Sequence, residues 1–156
     1  MQNPIITCLM ALAAALASST DASVLNDFDS DAEYQAVEIG SADDVQAWYE
    51  LAVRARVAGD TDTALQALER AAEHRMSPVR ICLERARVRV LNRDNGIAVN
   101  ELKKDLELGF TAVSVITSDP VLNQLSGQSQ YDELVEKMSE QAYPCEHHEQ
   151  FHEFDF

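Results

Sequence analysis

"AWYELAVRARVAGDTDTALQALERAAEHRMSP", Ala47 to Pro78, is the stretch on which the fold turns. Its apolar and small residues recur three and four apart: Trp48, Leu51, Ala52 and Ala55, then Ala64, Leu65, Leu68, Ala71 and Ala72. That spacing lays one apolar stripe along each segment, which marks two amphipathic helices. "AGDTDTA" interrupts the period between them. Gly59 can end the first helix in a left-handed conformation, and Asp60 or Thr61 can cap the next. Ser41, with Asp44 three residues on, offers an N-cap box for the first helix. The stretch predicts a helical hairpin.

That hairpin resembles a single tetratricopeptide repeat, whose pattern runs W-x-x-L-G-x-x-Y, then A-x-x-x-F, then P. Here it reads Trp48-x-x-Leu51-Ala52-x-x-Ala55, then Ala64-x-x-x-Leu68 with Ala71 following, around a Gly59-Asp60 turn. Ala52 stands for the small glycine and Ala55 for the aromatic, and Pro78 falls two residues late. A fainter copy follows one repeat length later, about 34 residues. Trp48 maps to Cys82, Ala52 to Ala86, Ala64 to Ala98 and Leu68 to Leu102.

The first helix of this copy is expected over Pro78 to Leu91, with Val79, Cys82, Leu83, Ala86 and Val90 as its stripe. "NRDNG", Asn92 to Gly96, carries turn chemistry. A second helix is expected from about Ile97 to Leu108, with Gly109 as its C-cap. Ser118-Asp119-Pro120 starts a short helix through Leu125. Ser129 with Asp132 starts another, with Tyr131, Leu134, Val135 and Met138 on one face. This last part resembles the degenerate closing unit of such arrays, which covers the apolar edge of the preceding repeat. The resemblance spans Ala42 to Ala142. It implies an all-α fold of two tetratricopeptide-like helical hairpins plus a closing helical unit, between flexible acidic ends.

The chain is strongly acidic, with a formal net charge of −15 over 156 residues. That excludes a phosphate-backbone binder and an anionic-membrane binder, both of which need a basic footprint. The charge is uneven. Asp21 to Asp44 has no Lys or Arg, and from Gly109 onward Lys137 is alone among many acids. Between them the chain is nearly neutral. A balanced centre between self-repelling flanks predicts a folded middle with solvated ends.

Four regions follow. Residues 1–22, "MQNPIITCLMALAAALASSTDA", look like a secretory signal, with an apolar run from Ile5 to Ala17 and an A-x-A site at Ala15-Leu16-Ala17. The run is too short to span a bilayer, so no stable membrane insertion is expected once the signal is removed. Residues 23–40 read as a flexible acidic leader with a short helix around Ala32 to Ile39. Residues 41–142 form the helical domain, and 143–156 an acidic, His-rich tail or the start of a further domain. The expected location is the periplasm or outside the cell. Without the signal, Cys82 and Cys145 remain, too few for a disulfide scaffold; Cys82 reads as a small buried hydrophobe.

The tail spells H-E-x-x-H at His148-Glu149-Gln150-Phe151-His152. In zinc proteases that spacing puts two His on one helix face and a Glu beside the metal-bound water. Here Glu146 and Glu153 crowd the motif, Pro144 shortens any helix, and the sequence carries no third ligand after His152. An acidic, His-rich tail explains the spelling, and neither a catalytic residue nor a metal ligand nor a cofactor is assigned. "FHEFDF" also resembles the opening of a lipocalin-like β domain, which would make this chain an accessory helical part of a larger secreted enzyme.

The resemblance places the first helix of each repeat along a concave groove. Tyr49, Val53, Arg56 and Val57 of the first repeat would line it, with Arg80, Leu83, Arg87 and Leu91 of the second. Of these, Tyr49, Val53, Arg56, Arg80, Leu83 and Arg87 are the candidate peptide-binding residues. The arginines could hold carboxylates of another protein's acidic segment, or of the chain's own leader. The alternative is that they pair with Glu84 and Glu50 on the same helices. Val53 and Glu84 stand where a carboxylate clamp would need Asn, which argues against that particular function.

Overall fold

A computed structural model describes residues 28–143. The readings of the signal at 1–22, of Cys145 and of the His148–His152 motif lie outside them. The described residues are all-α, without a strand. Seven helices follow in order: α1 (Ser30–Gly40), α2 (Val45–Ala58), α3 (Thr61–Glu73), α4 (Pro78–Leu91), α5 (Asn95–Glu107), α6 (Val113–Thr117) and α7 (Ser129–Ala142). A 3-10 turn, Leu122–Leu125, separates the last two.

Helices α2 and α3 form one hairpin and α4 and α5 the next, with α3 against α4. The caps explain the boundaries. Asp44 accepts hydrogen bonds from the N–H groups of Gln46 and Ala47 at 2.9 and 3.3 Å, so Asp44, not Ser41, is the N-cap of α2. Asp60 accepts from Thr63 N–H at 3.0 Å and starts α3. Pro78 opens α4, where its missing N–H costs nothing.

The four hairpin helices end alike. In each, a residue with positive φ closes the last turn: Gly59, Arg75, Arg93 and Gly109. The next N–H then reaches back to a carbonyl within the helix, as Asp60 does to Ala55 and Asp94 to Arg89, at 2.9 and 2.8 Å. This double closure satisfies carbonyls that a helix end otherwise leaves bare. Two of the four positions use arginine, which carries the steric cost of the left-handed region.

Two cores sit side by side. The first gathers Trp48, Leu51, Leu68, Ile81 and Val88 around a set of alanines on α2 and α3. Those alanines let the two helices approach closely. The second gathers Leu83, Val90, Leu102, Ile116, Leu122, Leu125, Tyr131, Leu134 and Met138. Helix α4 feeds both, Ile81 and Val88 to one side and Leu83, Ala86 and Val90 to the other. A helix that is a wall of two cores has no solvated face to spare. One of its charged side chains, Glu84, is therefore drawn inside.

The ends of this pair are covered. The short helix expected near Ala32 to Ile39 is α1, but it is docked where a mobile leader was expected. Tyr34 meets the Trp48 ring at a centroid distance of 5.0 Å, and Val37 is buried in the first core. On the far side, α6, the 3-10 turn and α7 enclose the second core. Helix α6 itself was not foreseen. Asp119 caps the 3-10 turn by accepting from the N–H groups of Val121 and Leu122 at 2.9 and 3.0 Å.

Candidate functional site: the face shared by α2 and α4

On α2, Tyr49, Val53 and Val57 succeed one another at i+4 and so form one row along the helix. On α4 the matching row is Arg80, Glu84, Arg87 and Leu91. Two contacts tie the rows together. The Arg80 guanidinium lies over the Tyr49 ring, 4.3 Å from its centroid. Arg56 Nε donates to Glu84 Oε1 across the same boundary.

The structure thus brings Tyr49, Val53, Arg56, Arg80 and Arg87 into one region, and it corrects what they present. Arg56 and Arg87 do not stand free. Glu84, only 1% exposed, is shared between them: its second oxygen accepts from Arg87 Nη1 at 2.7 Å. Arg87 Nε donates to Asp119 at 2.8 Å. Burial alone would push the Arg87 guanidinium down, but its hydrogen bonds to Asp119 and Glu84 outweigh that and hold it above its ordinary value. Two arginines and two carboxylates cancel, so the expected positive strip is neutral where Arg56 and Arg87 stand. Of the same-helix pairings weighed above the structure makes one, Arg87 with Glu84; Arg56 reaches that carboxylate from the other helix, and Glu50 accepts from Gln46 instead.

Leu83 is a further correction. It is 8% exposed and packs into the second core, so it offers no surface to a groove. What remains open is different in character. Tyr49 and Val53 are half-buried, Arg80 is exposed, and the apolar side chains Val57 and Leu91 are 73% and 41% exposed.

The acidic leader also goes elsewhere. Within α1, Glu33 pairs with Arg54 at 2.9 Å and Glu38 with Arg70 at 2.8 Å. None of the three groove arginines is among these partners. The sequence reading names Glu84 on this face and misses Asp119, which reaches Arg87 across 32 residues of chain and carries no local signal of that contact. No family model, curated protein or solved structure matches the chain.

Proposed function

We propose that this chain is a protein-interaction module that holds a peptide segment of another protein along the α2–α4 face. The observation that carries the reading is the pairing of exposed apolar side chains, Val57 and Leu91, with the Arg80–Tyr49 platform on a face whose other charges are mutually satisfied. The tetratricopeptide resemblance supports it, because that family uses the same helices of its hairpins. With Arg56 and Arg87 neutralised, the fitting segment is mainly apolar, with one acid placed for Arg80. A more acidic segment would meet the repulsion of a chain of net charge −15. Read with the signal at 1–22, the module works in the periplasm or outside the cell.

The test is a selection of random dodecapeptides on the immobilised chain, followed by titration of the winners. The expected winners share an apolar pair with a nearby acid. Val57→Asp, Leu91→Asp and Arg80→Glu should each weaken them by about tenfold or more, roughly 1.4 kcal/mol. No enrichment, or winners indifferent to all three variants, would remove the reading.

A further inference from the structure

Glu101 and Asp105 lie one turn apart on α5, and both are buried, at 8% and 0% exposed. Glu101 Oε1 accepts from Lys104 Nζ at 2.9 Å, while its Oε2 has no partner among the described residues. No N–H or O–H of the described residues donates to either side-chain oxygen of Asp105, and the Cys82 thiol beside it is a weak donor. A carboxylate buried without donors relieves itself by taking up a proton.

The first hairpin supplies an internal comparison. The Ala71 backbone carbonyl closes α3 by accepting from Met76 N–H at 3.0 Å, and the Asp105 backbone carbonyl closes α5 by accepting from Phe110 N–H at 2.9 Å. The two residues hold the same place in their helices, and both are fully buried. One hairpin has a methyl there and the other an ionisable group.

The surroundings of Asp105 give it little help. From α4 the buried Cys82 thiol stands beside it, and Arg87 acts from farther off, already held by Glu84 and Asp119. From α7, Glu133 and Lys137 meet α5 on another side, next to Lys103, Leu106 and Glu107. Burial first, then the Glu101 charge, pushes Asp105 up to about 7. Burial and the same two acids push the Cys82 thiol up to about 11, so it stays protonated and is no nucleophile. No group of three metal-ligating side chains converges among the described residues, so the bare oxygens are not read as a cation cradle.

We propose that Asp105, with Glu101 behind it, is an acid-held latch on the second hairpin. Protonated, the carboxyl closes the seam between α4 and α5. Ionised, it loosens that seam while the first hairpin, with Ala71 in the same place, stays packed. In the unfolded chain Asp105 ionises near its ordinary 3.8, and in the folded chain near 7. Between those values the folded chain holds the extra proton, so stability falls as pH rises. The folding equilibrium loses up to about tenfold per pH unit across the window, and nothing further above it.

Carboxyl NMR titration of the full chain, with urea melts and hydrogen exchange over the same pH range, tests this. The Asp105 carboxyl should titrate near neutrality. Exchange corrected for intrinsic rate should rise with pH more steeply in α4 and α5 than in α2 and α3. Asp105→Asn should flatten the pH slope of the melts, and Glu101→Gln should move its midpoint downward by removing the neighbouring charge. Titration of Asp105 near 3.8, an unchanged slope in Asp105→Asn, or an equal rise in both hairpins would overturn the latch. If Asp105→Asn does not fold, the titration and exchange of the unaltered chain decide alone. Stabilisation by calcium or zinc at pH 8, lost in Asp105→Asn, would assign the oxygens to a cation and sink the proposal.

Discussion

Arg56 of α2 and Glu84 of α4 are ion-paired across the boundary between the two hairpins, and Glu84 is almost wholly buried. Removing one partner of such a pair leaves the other charge without compensation. Here it leaves Arg56 unpaired and Arg87 with Asp119 alone, because both arginines share the carboxylate. Glu84→Ala should therefore cost about 3–5 kcal/mol in urea melts. A loss below about 1 kcal/mol would show that water reaches the arginines and that the hairpins do not depend on this contact.

Trp48 is the largest side chain fully enclosed in the described residues. Its indole N–H donates to the Ala42 carbonyl at 2.7 Å, Tyr34 leans on the ring, and the Arg70 guanidinium sits 5.2 Å from the ring centroid. Trp48→Ala should cost about 3–5 kcal/mol through the cavity it leaves. Trp48→Phe keeps most of the volume and should cost clearly less. Equal losses in the two variants would contradict a packing role.

The shared helix endings give a pair of opposite predictions. At Gly59, φ is +86° and an added methyl would meet no atom, so the cost of Gly59→Ala is conformational alone, about 1 kcal/mol. Arg93 holds φ of 63° with a side chain that dislikes it. Arg93→Gly should stabilise by about 0.5–1 kcal/mol. Thermal melts of the two variants should shift in opposite directions, and a shared direction would refute the account of the endings.

Asp119 governs the acid side. Burial pulls its carboxyl upward, but the Leu122 N–H, the Arg87 guanidinium and the Val121 N–H outweigh this and hold it below the ordinary 3.8. Its folded value is depressed, so its stabilisation is fully present above 3.8 and is lost as pH falls through the folded value. Asp119→Asn keeps an oxygen for the cap and loses the ion pair. It should cost about 1 kcal/mol at pH 7 and progressively less as pH falls below 3.8, a trend that melts over that range would read directly.

Much of the fold was legible because its signals are local. The bounds of α4, Pro78 to Leu91, follow from a proline, a stripe and a turn-rich "NRDNG", and the structure has the same bounds. Gly59 and Asp60 act as read, one ending α2 and the other starting α3. Helix α7 buries Tyr131, Leu134 and Met138, the face its spacing predicted. The failures share a cause. Nothing local to Glu84, Glu101 or Asp105 says that a neighbouring helix will cover it, and an acid on a helix reads as solvated until its partners are placed. The docking of α1 was hidden likewise, because Tyr34 and Val37 are too few to stand out within an acidic stretch.

Covering both ends of the hairpin pair has a consequence for growth. A stack of hairpins lengthens by offering a bare apolar end to the next unit. Here one end is occupied by α1, with Tyr34 against Trp48, and the other by α7, with Tyr131 and Met138 in the second core. Neither end is a template. Splicing another hairpin onto either end would first require prising off a helix already seated there, so the two-hairpin body is fixed in length by its own lids.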